Sequence, residues 1–262
     1  MVFVVVIVAG LVLGSFVNAL VWRLHEKKDW IKDRSECDYC HHKLGVLDLV
    51  PVVSWLVLRG KCRYCGKPIN DSPLTELALP ALFVASYIWW PQPLQGEGLM
   101  LFAFWLVFLV GFLILAVYDI RWFLLPNKIV FPLIGLAVLQ LGLQVVLYDG
   151  SLREVLGAAL GITIISGTFY ILFLVSKGRW IGLGDVKLGI VLGILVGGPL
   201  PAVLLLFLAS LFGMLTSAPL LVAGRASRKS HLPFGPFLLA AMVVVQLFGA
   251  DIITWYAGLV LA

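Results

Sequence analysis

The chain has 262 residues, of which 61% are apolar and 13% charged, with a mean hydropathy of +1.05 and a net charge of +5. That balance excludes a cytosolic enzyme, a secreted disulfide scaffold and a disordered chain, because a soluble fold of this size leaves most of its surface to water. What remains is a polytopic membrane protein, and its continuous apolar runs of about twenty residues predict helices rather than the alternating segments of a barrel.

Residues 1–22 carry no charge before Arg23, enough to cross about 30 Å of hydrocarbon at about 1.5 Å per residue. With no basic segment ahead of it and no small-residue cleavage site, this run is expected to be a retained span and not a removed signal. One polar stretch follows, over 23–73. Further spans are predicted near 74–90, 99–118, 129–148 and 155–176. Residues 188–224 are uncharged for 37 positions, broken by Gly197-Gly198-Pro199-Leu200-Pro201. Two helices are expected there, the first short and starting near Leu183. A last span begins near Phe237, with Asp251 interrupting its far end. The expected fold is all-α and polytopic, with about eight transmembrane helices and a small zinc-ribbon-like cytoplasmic domain. Its parts are a first helix over 1–22, a tetracysteine domain over 23–73 and a membrane core over 74–262.

With eight alternating spans, eighteen of the nineteen Lys and Arg residues fall on one side and only Arg153 on the other. The positive-inside rule makes that side cytoplasmic and puts both termini outside. The positive charge then serves topology and contact with anionic lipid head groups, not nucleic acid.

All four cysteines lie in the polar stretch, as Cys37-x2-Cys40 and Cys62-x2-Cys65 separated by 21 residues. Two such pairs can converge on one tetrahedral Zn2+, which four thiolates close off, so the metal is structural. A domain of about fifty residues has little core and gains from such a staple. Gly45, Gly66 and Pro68 supply turns beside the pairs. Disulfides are disfavoured in the reducing cytoplasm. Cys37-Asp38-Tyr39-Cys40-His41 fits c-type haem attachment, but that chemistry belongs outside and leaves the second pair idle. A thioredoxin-like pair lacks its βαβ context. His41 and His42 are read as solvated loop residues.

Acidic groups beside membrane spans are costly and therefore functional candidates. Asp119 closes the 99–118 span in Tyr118-Asp119-Ile120-Arg121, and Asp185 opens the short one in Gly182-Leu183-Gly184-Asp185. An out-and-back excursion of two spans brings both to one face at similar depth. Two close carboxylates do not ionise together, so one serves as general base and the other as acid. The glycines before Asp185 would admit a substrate backbone. The residues alone also allow a proton or ion relay, or plain pairs of Asp119 with Arg121 or Lys128 and of Asp185 with Lys187. Glu76 opens the 74–90 span at the same face, Asn18 is read as an interhelical hydrogen-bonding amide, and Asp251 as a span terminus. No serine or cysteine nucleophile with a partnering base is present.

The ordered set of motifs resembles the type IV prepilin peptidase family. It comprises Gly14-Ser15-Phe16-Val17-Asn18, Arg34-Ser35, Asp48-Leu49-Val50-Pro51 and Leu58-Arg59-Gly60-Lys61-Cys62-Arg63-Tyr64-Cys65. It continues with Tyr118-Asp119-Ile120, Leu125-Pro126-Asn127, the GxGD at Gly182 to Asp185, and Pro233-Phe234-Gly235-Pro236-Phe237-Leu238. Leu24-His25 after Arg23 and Ser72 before Pro73 depart from the family pattern. The resemblance implies a GxGD intramembrane aspartic endopeptidase of the bacterial inner membrane, with Asp119 and Asp185 catalytic. Such enzymes cut the short basic leader of prepilins and pseudopilins after a glycine at the cytoplasmic face. Many then N-methylate the new N-terminus with S-adenosyl methionine, and the methylating members carry the tetracysteine loop. No Rossmann-type glycine loop marks the donor site; the stretch around Gly60 is the only guess. Asp48, Asp71 and Glu76 are candidate contacts for the basic leader. The competing readings are a proton- or cation-coupled transporter with a zinc-binding domain, and a structural subunit of a secretion machine. Oligomeric state is not legible.

Overall fold

In the computed structural model, residues 2–29, 35–37, 39–69, 73–148, 152–223 and 232–261 are described. Arg34, Asp38, Asp71, Ser72, Arg225, Arg228 and Lys229 lie outside them. Nine α-helices run through the described residues: α1 (Val2–His25), α2 (Val53–Val57), α3 (Leu74–Ile88), α4 (Gly96–Trp122), α5 (Asn127–Leu147), α6 (Leu152–Ser176), α7 (Leu183–Val196), α8 (Pro199–Val222) and α9 (Gly235–Leu261). No strand occurs among them. Apart from the five-residue α2, each helix coincides with one of the eight expected apolar segments. Six are long and apolar enough to cross a membrane, while α3 has 15 residues and α7 has 14.

Local chemistry sets the helix ends. Phe123 turns left-handed (φ 55°) and its N–H closes on the Asp119 carbonyl at 2.8 Å, ending α4 ahead of Pro126. Gly197 (φ 61°) ends α7, and Pro199 starts α8 where a missing N–H costs nothing. Asp251 does not interrupt the last span. It is an exposed residue inside α9, which continues to Leu261, because a single surface acid leaves the backbone ladder intact.

The chain divides into two compact units. The first is Met1–Ile88 with Leu106–Ile114; the second is Trp89–Trp105 with Leu115–Ala262. In the first, α1 lies against α3 through its small residues. A Cβ on Gly10 would stand 2.5 Å from the Pro80 Cα, and one on Gly14 would stand 2.9 Å from the Glu76 Cα. The Thr75 hydroxyl donates to Asn18 Oδ1 across the same contact, fulfilling the role expected of that amide.

In the second unit, α6 and α7 meet through glycines on both faces. A Cβ on Gly161 would lie 2.3 Å from the Gly193 carbonyl oxygen, and one on Gly193 would lie 2.5 Å from the Ile162 Cα. Gly157 meets the Gly197 carbonyl at 2.2 Å in the same way. Lipid offers no hydrophobic drive between helices, so this backbone-close packing supplies the dispersion contacts. Leu188, Val191 and Leu192 of α7 are fully buried. Apolar side chains such as Val4, Val107 and Phe207 stay more than half exposed, as lipid-facing residues do.

A Gly193→Val substitution is expected to destabilise the protein by about 3 kcal/mol or more, since neither backbone can yield to the branched side chain. Gly135→Ala, where a Cβ meets nothing within 4 Å, is expected to be neutral or slightly stabilising. Thermal unfolding of the two variants in detergent checks the pair.

Candidate active site and cysteine cluster

The GxGD string forms the cap and first turn of α7. Gly182 is the N-cap, and its N–H donates to Asp185 Oδ2 at 3.3 Å, while the Asp185 N–H donates to the Gly182 carbonyl at 3.2 Å. This holds the carboxylate at the positive end of the helix. Gly184 is glycine for a different reason from the one expected. A Cβ there would sit 3.0 Å from the Leu125 Cβ, so Leu125, and not a substrate backbone, fills that space.

Asp119 lies one turn from the end of α4 and is buried, with 6% of its surface exposed. Its Oδ2 accepts the Gly235 N–H at 3.1 Å, so the first residue of α9 holds it. A Cβ on Gly235 would stand 2.6 Å from that same oxygen. Leu125 touches both glycines: its Cδ2 is 3.6 Å from the Cβ position of Gly235. One residue thus wedges the starts of α7 and α9 beside the end of α4. Asp119 and Asp185, 66 residues apart in sequence, thus flank one residue: Leu125 lies against Gly184, next to Asp185, and against Gly235, whose N–H binds Asp119. Lys187 donates to Asn127 Oδ1 at 3.0 Å and lies over the Phe131 ring. The simple Asp185–Lys187 pairing considered from the sequence is replaced by a tie between α7 and the start of α5.

The four cysteines converge. Their sulfur atoms all lie within 4.8 Å of one another, and Cys37 Sγ is 3.8 Å from Cys65 Sγ. A regular tetrahedron of sulfurs at about 2.3 Å from a zinc ion has an edge of about 3.8 Å, so the donor set fits. Each pair sits in the same knuckle. The Cys37 N–H donates to the His42 carbonyl and the His41 N–H to the Cys37 carbonyl; the Cys62 N–H donates to Lys67 and the Gly66 N–H to Cys62 in the same way. The left-handed residue after the second cysteine is His41 (φ 53°) in one and Gly66 (φ 70°) in the other. Gly45 stands in a turn as expected, capping the 3-10 turn Val46–Asp48, while the first knuckle itself closes on His41, whose ring is exposed and takes no part in the sulfur cluster.

The other acids have defined partners. Asp48 Oδ1 accepts the Arg63 Nε at 2.7 Å, and Oδ2 accepts the Gly45 N–H and the Tyr64 hydroxyl at 3.1 Å each. Both oxygens are engaged, which removes Asp48 as a contact for a leader. Burial works to raise its pKa, but the Arg63 guanidinium, the Gly45 N–H and the Tyr64 hydroxyl hold it below the usual carboxylate value. Glu76 Oε2 accepts the Val52 N–H at 2.7 Å. Gly60 (φ 68°) makes a turn against the Trp55 ring, a structural role that accounts for its presence without a ligand. In the sequence Gly235 and Leu125 stand only as letters of shared motifs; a glycine directly before Pro236 at a helix start is the one signal of the Asp119 bond.

The chain is an integral-membrane peptidase with N-methyltransferase activity. It belongs to the type IV leader peptidase family, whose model matches residues 106–218, and residues 8–90 match the model of the bacterial peptidase A24 N-terminal domain. A Bacillus subtilis (strain 168) protein named prepilin leader peptidase/N-methyltransferase is 32% identical over 259 residues, covering 98% of both chains. Proteins of the same name from Stutzerimonas stutzeri (30% identical, 95% of this chain and 92% of the relative) and Burkholderia pseudomallei (33%, 93% and 84%) are similarly related. No solved structure matches the chain.

The Asp48 network predicts a pH-dependent contribution to the tetracysteine loop. Because the folded pKa is lowered, that contribution is full above the ordinary carboxylate pKa and fades as pH falls through the folded value. Asp48→Asn is expected to cost about 1 kcal/mol or more at neutral pH. Limited proteolysis of the loop checks this, with the gap between variant and wild type closing in acid.

Proposed function

We propose that this protein removes the short basic leader of type IV prepilins or pseudopilins, with Asp119 and Asp185 as its catalytic pair, and then methylates the new N-terminus from S-adenosyl methionine. The observation that supports the first half is a pair of carboxylates from different helices, each set at a helix end on either side of Leu125. One carboxylate takes a proton from water as it attacks the scissile carbonyl, and the other protonates the carbonyl oxygen. The Gly235 N–H fixes which way the Asp119 carboxylate points, and the Gly182 N–H does so for Asp185. The basic residues counted on one face support a cytoplasmic position for the site and for the tetracysteine loop, with both termini outside, in the inner membrane. A prepilin inserted as a single span presents its leader junction at that depth.

The same reading assigns Zn2+ to Cys37, Cys40, Cys62 and Cys65. Four thiolates leave no open position for water, so the ion staples the loop and takes no part in peptide hydrolysis. Metal analysis of the purified protein is expected to give about one zinc per chain. Values far below that end the assignment.

Asp119→Asn and Asp185→Asn are each expected to reduce leader removal at least about a hundredfold while the protein still inserts. Gly235→Ala, whose methyl displaces the Asp119 carboxylate, is expected to cost roughly tenfold or more with both aspartates present. Mass spectrometry of the N-terminus of a co-expressed prepilin reads all three. Normal processing by either Asn variant overturns the catalytic assignment.

A further inference from the structure

The loop between α1 and α3 carries an apolar surface that its own packing does not use. Val46, Leu47, Val53, Leu56 and Val57, in the 3-10 turn Val46–Asp48 and in α2, keep between 55% and 84% of their surface exposed. Single apolar side chains are ordinary on a water-facing surface, but a run of them marks contact with another apolar phase. The one charge within residues 44–58 is Asp48. Its carboxylate is turned inward to Arg63, Tyr64 and the Gly45 N–H, and only 5% of the side chain is exposed. The segment therefore shows no charge outward. Cations stand at its borders instead, Lys43 before it and Arg59 and Lys61 after it, all exposed.

A hydrogen bond sets the level of this surface. The Val52 N–H donates to Glu76 Oε2 at 2.7 Å, and Glu76 lies in the first turn of α3. Val52 sits at φ 61°, ψ −48°, a conformation a β-branched residue avoids, so the bond to α3 fixes a strained reversal of the chain. Leu74 and Leu77 on that turn of α3 are exposed and begin its lipid-facing surface. The apolar segment is thus tied to the point where α3 enters the hydrocarbon. With five residues, α2 is about 8 Å long and cannot cross it.

We infer that residues 46–57 form an interfacial anchor. The segment lies in the head-group layer where α1 ends and α3 begins, with its exposed apolar side chains among the upper acyl chains. Lys43, Arg59 and Lys61 meet the head groups of acidic phospholipids. Lipid is the occupant, and not a second copy of the chain, because the apolar surface runs on from that of α3 and its borders are basic. Asp48 joins the anchor to Arg63 of the second knuckle, so the sulfur cluster is held at the membrane surface. This role is separate from the two reactions assigned above.

The test uses the full-length protein reconstituted in vesicles of phosphatidylethanolamine and phosphatidylglycerol, with p-benzoylphenylalanine in place of Leu47 or of Val57. After illumination, mass spectrometry is expected to find lipid adducts at both positions, with yields within about threefold of that for the same photoreactive residue in place of the lipid-facing Val4. Adding Leu56→Glu, at an exposed position, is expected to lower these yields about fivefold or more. Vesicles of phosphatidylcholine alone are expected to lower them about twofold. A crosslink to a second copy of the chain, a link within the chain to residues 89–262, or no adduct at either position while Val4 gives one would each overturn the anchor. Yields indifferent to Leu56→Glu would overturn it as well, and yields unchanged without phosphatidylglycerol would remove the three cations from it.

Discussion

The second unit depends on one steric constraint, the backbone contact of α6 with α7. At 14 residues, α7 is about 21 Å long, well short of about 30 Å of hydrocarbon. A helix that short is not fixed by its length in a bilayer. It is fixed by what it touches, and Gly161, Gly189 and Gly193 let it touch a neighbouring backbone with no side chain between. The Ser166 hydroxyl adds a bond to the Val186 carbonyl at 2.8 Å, one residue beyond Asp185. The depth of Asp185 is therefore set by glycines about one and two turns further along α7.

The first unit repeats the device and adds a second. Gly10 and Gly14 bring α1 against α3, and Thr75 and Asn18 lock the register. The polar loop between those helices is too small for a core of its own, and few of its side chains are buried. Two knuckles of identical hydrogen-bond pattern converge four sulfurs instead. Asp48 ties the two knuckles' surroundings together, since it binds Gly45 after the first and Arg63 within the second.

Much of this was legible in the residues. The apolar runs located the helices because a bilayer tolerates only satisfied backbone. The Gly197 to Pro201 break divided the long uncharged stretch correctly because Gly and Pro have opposite preferences at helix ends. The cysteine spacing foretold one cluster. Close approach was less visible. Gly184 read as room for a substrate, whereas Leu125 occupies that room, and spacing cannot say which side chain fills a gap. Asp251 resembles a terminus by its charge alone, and charge carries no record of the helix's own hydrogen bonding. The strain at Val52 and the Gly235 bond to Asp119 are tertiary facts, with no periodic signal to betray them.

The two proposed activities differ in what they ask of a carboxylate. Hydrolysis needs a pair whose members exchange roles with one proton, so each must be held by directional bonds that leave the other oxygen to react. The Gly235 N–H holds Asp119 at Oδ2, and the Gly182 N–H holds Asp185 at Oδ2. Methyl transfer moves a positive charge over a short distance and asks for no such exchange of roles. The order of events follows from the nitrogen. In the intact leader it is an amide whose lone pair is delocalised into the carbonyl, and it becomes a nucleophile only when that bond is cut. Cleavage must therefore precede methylation on each substrate, whatever the rates of the two steps.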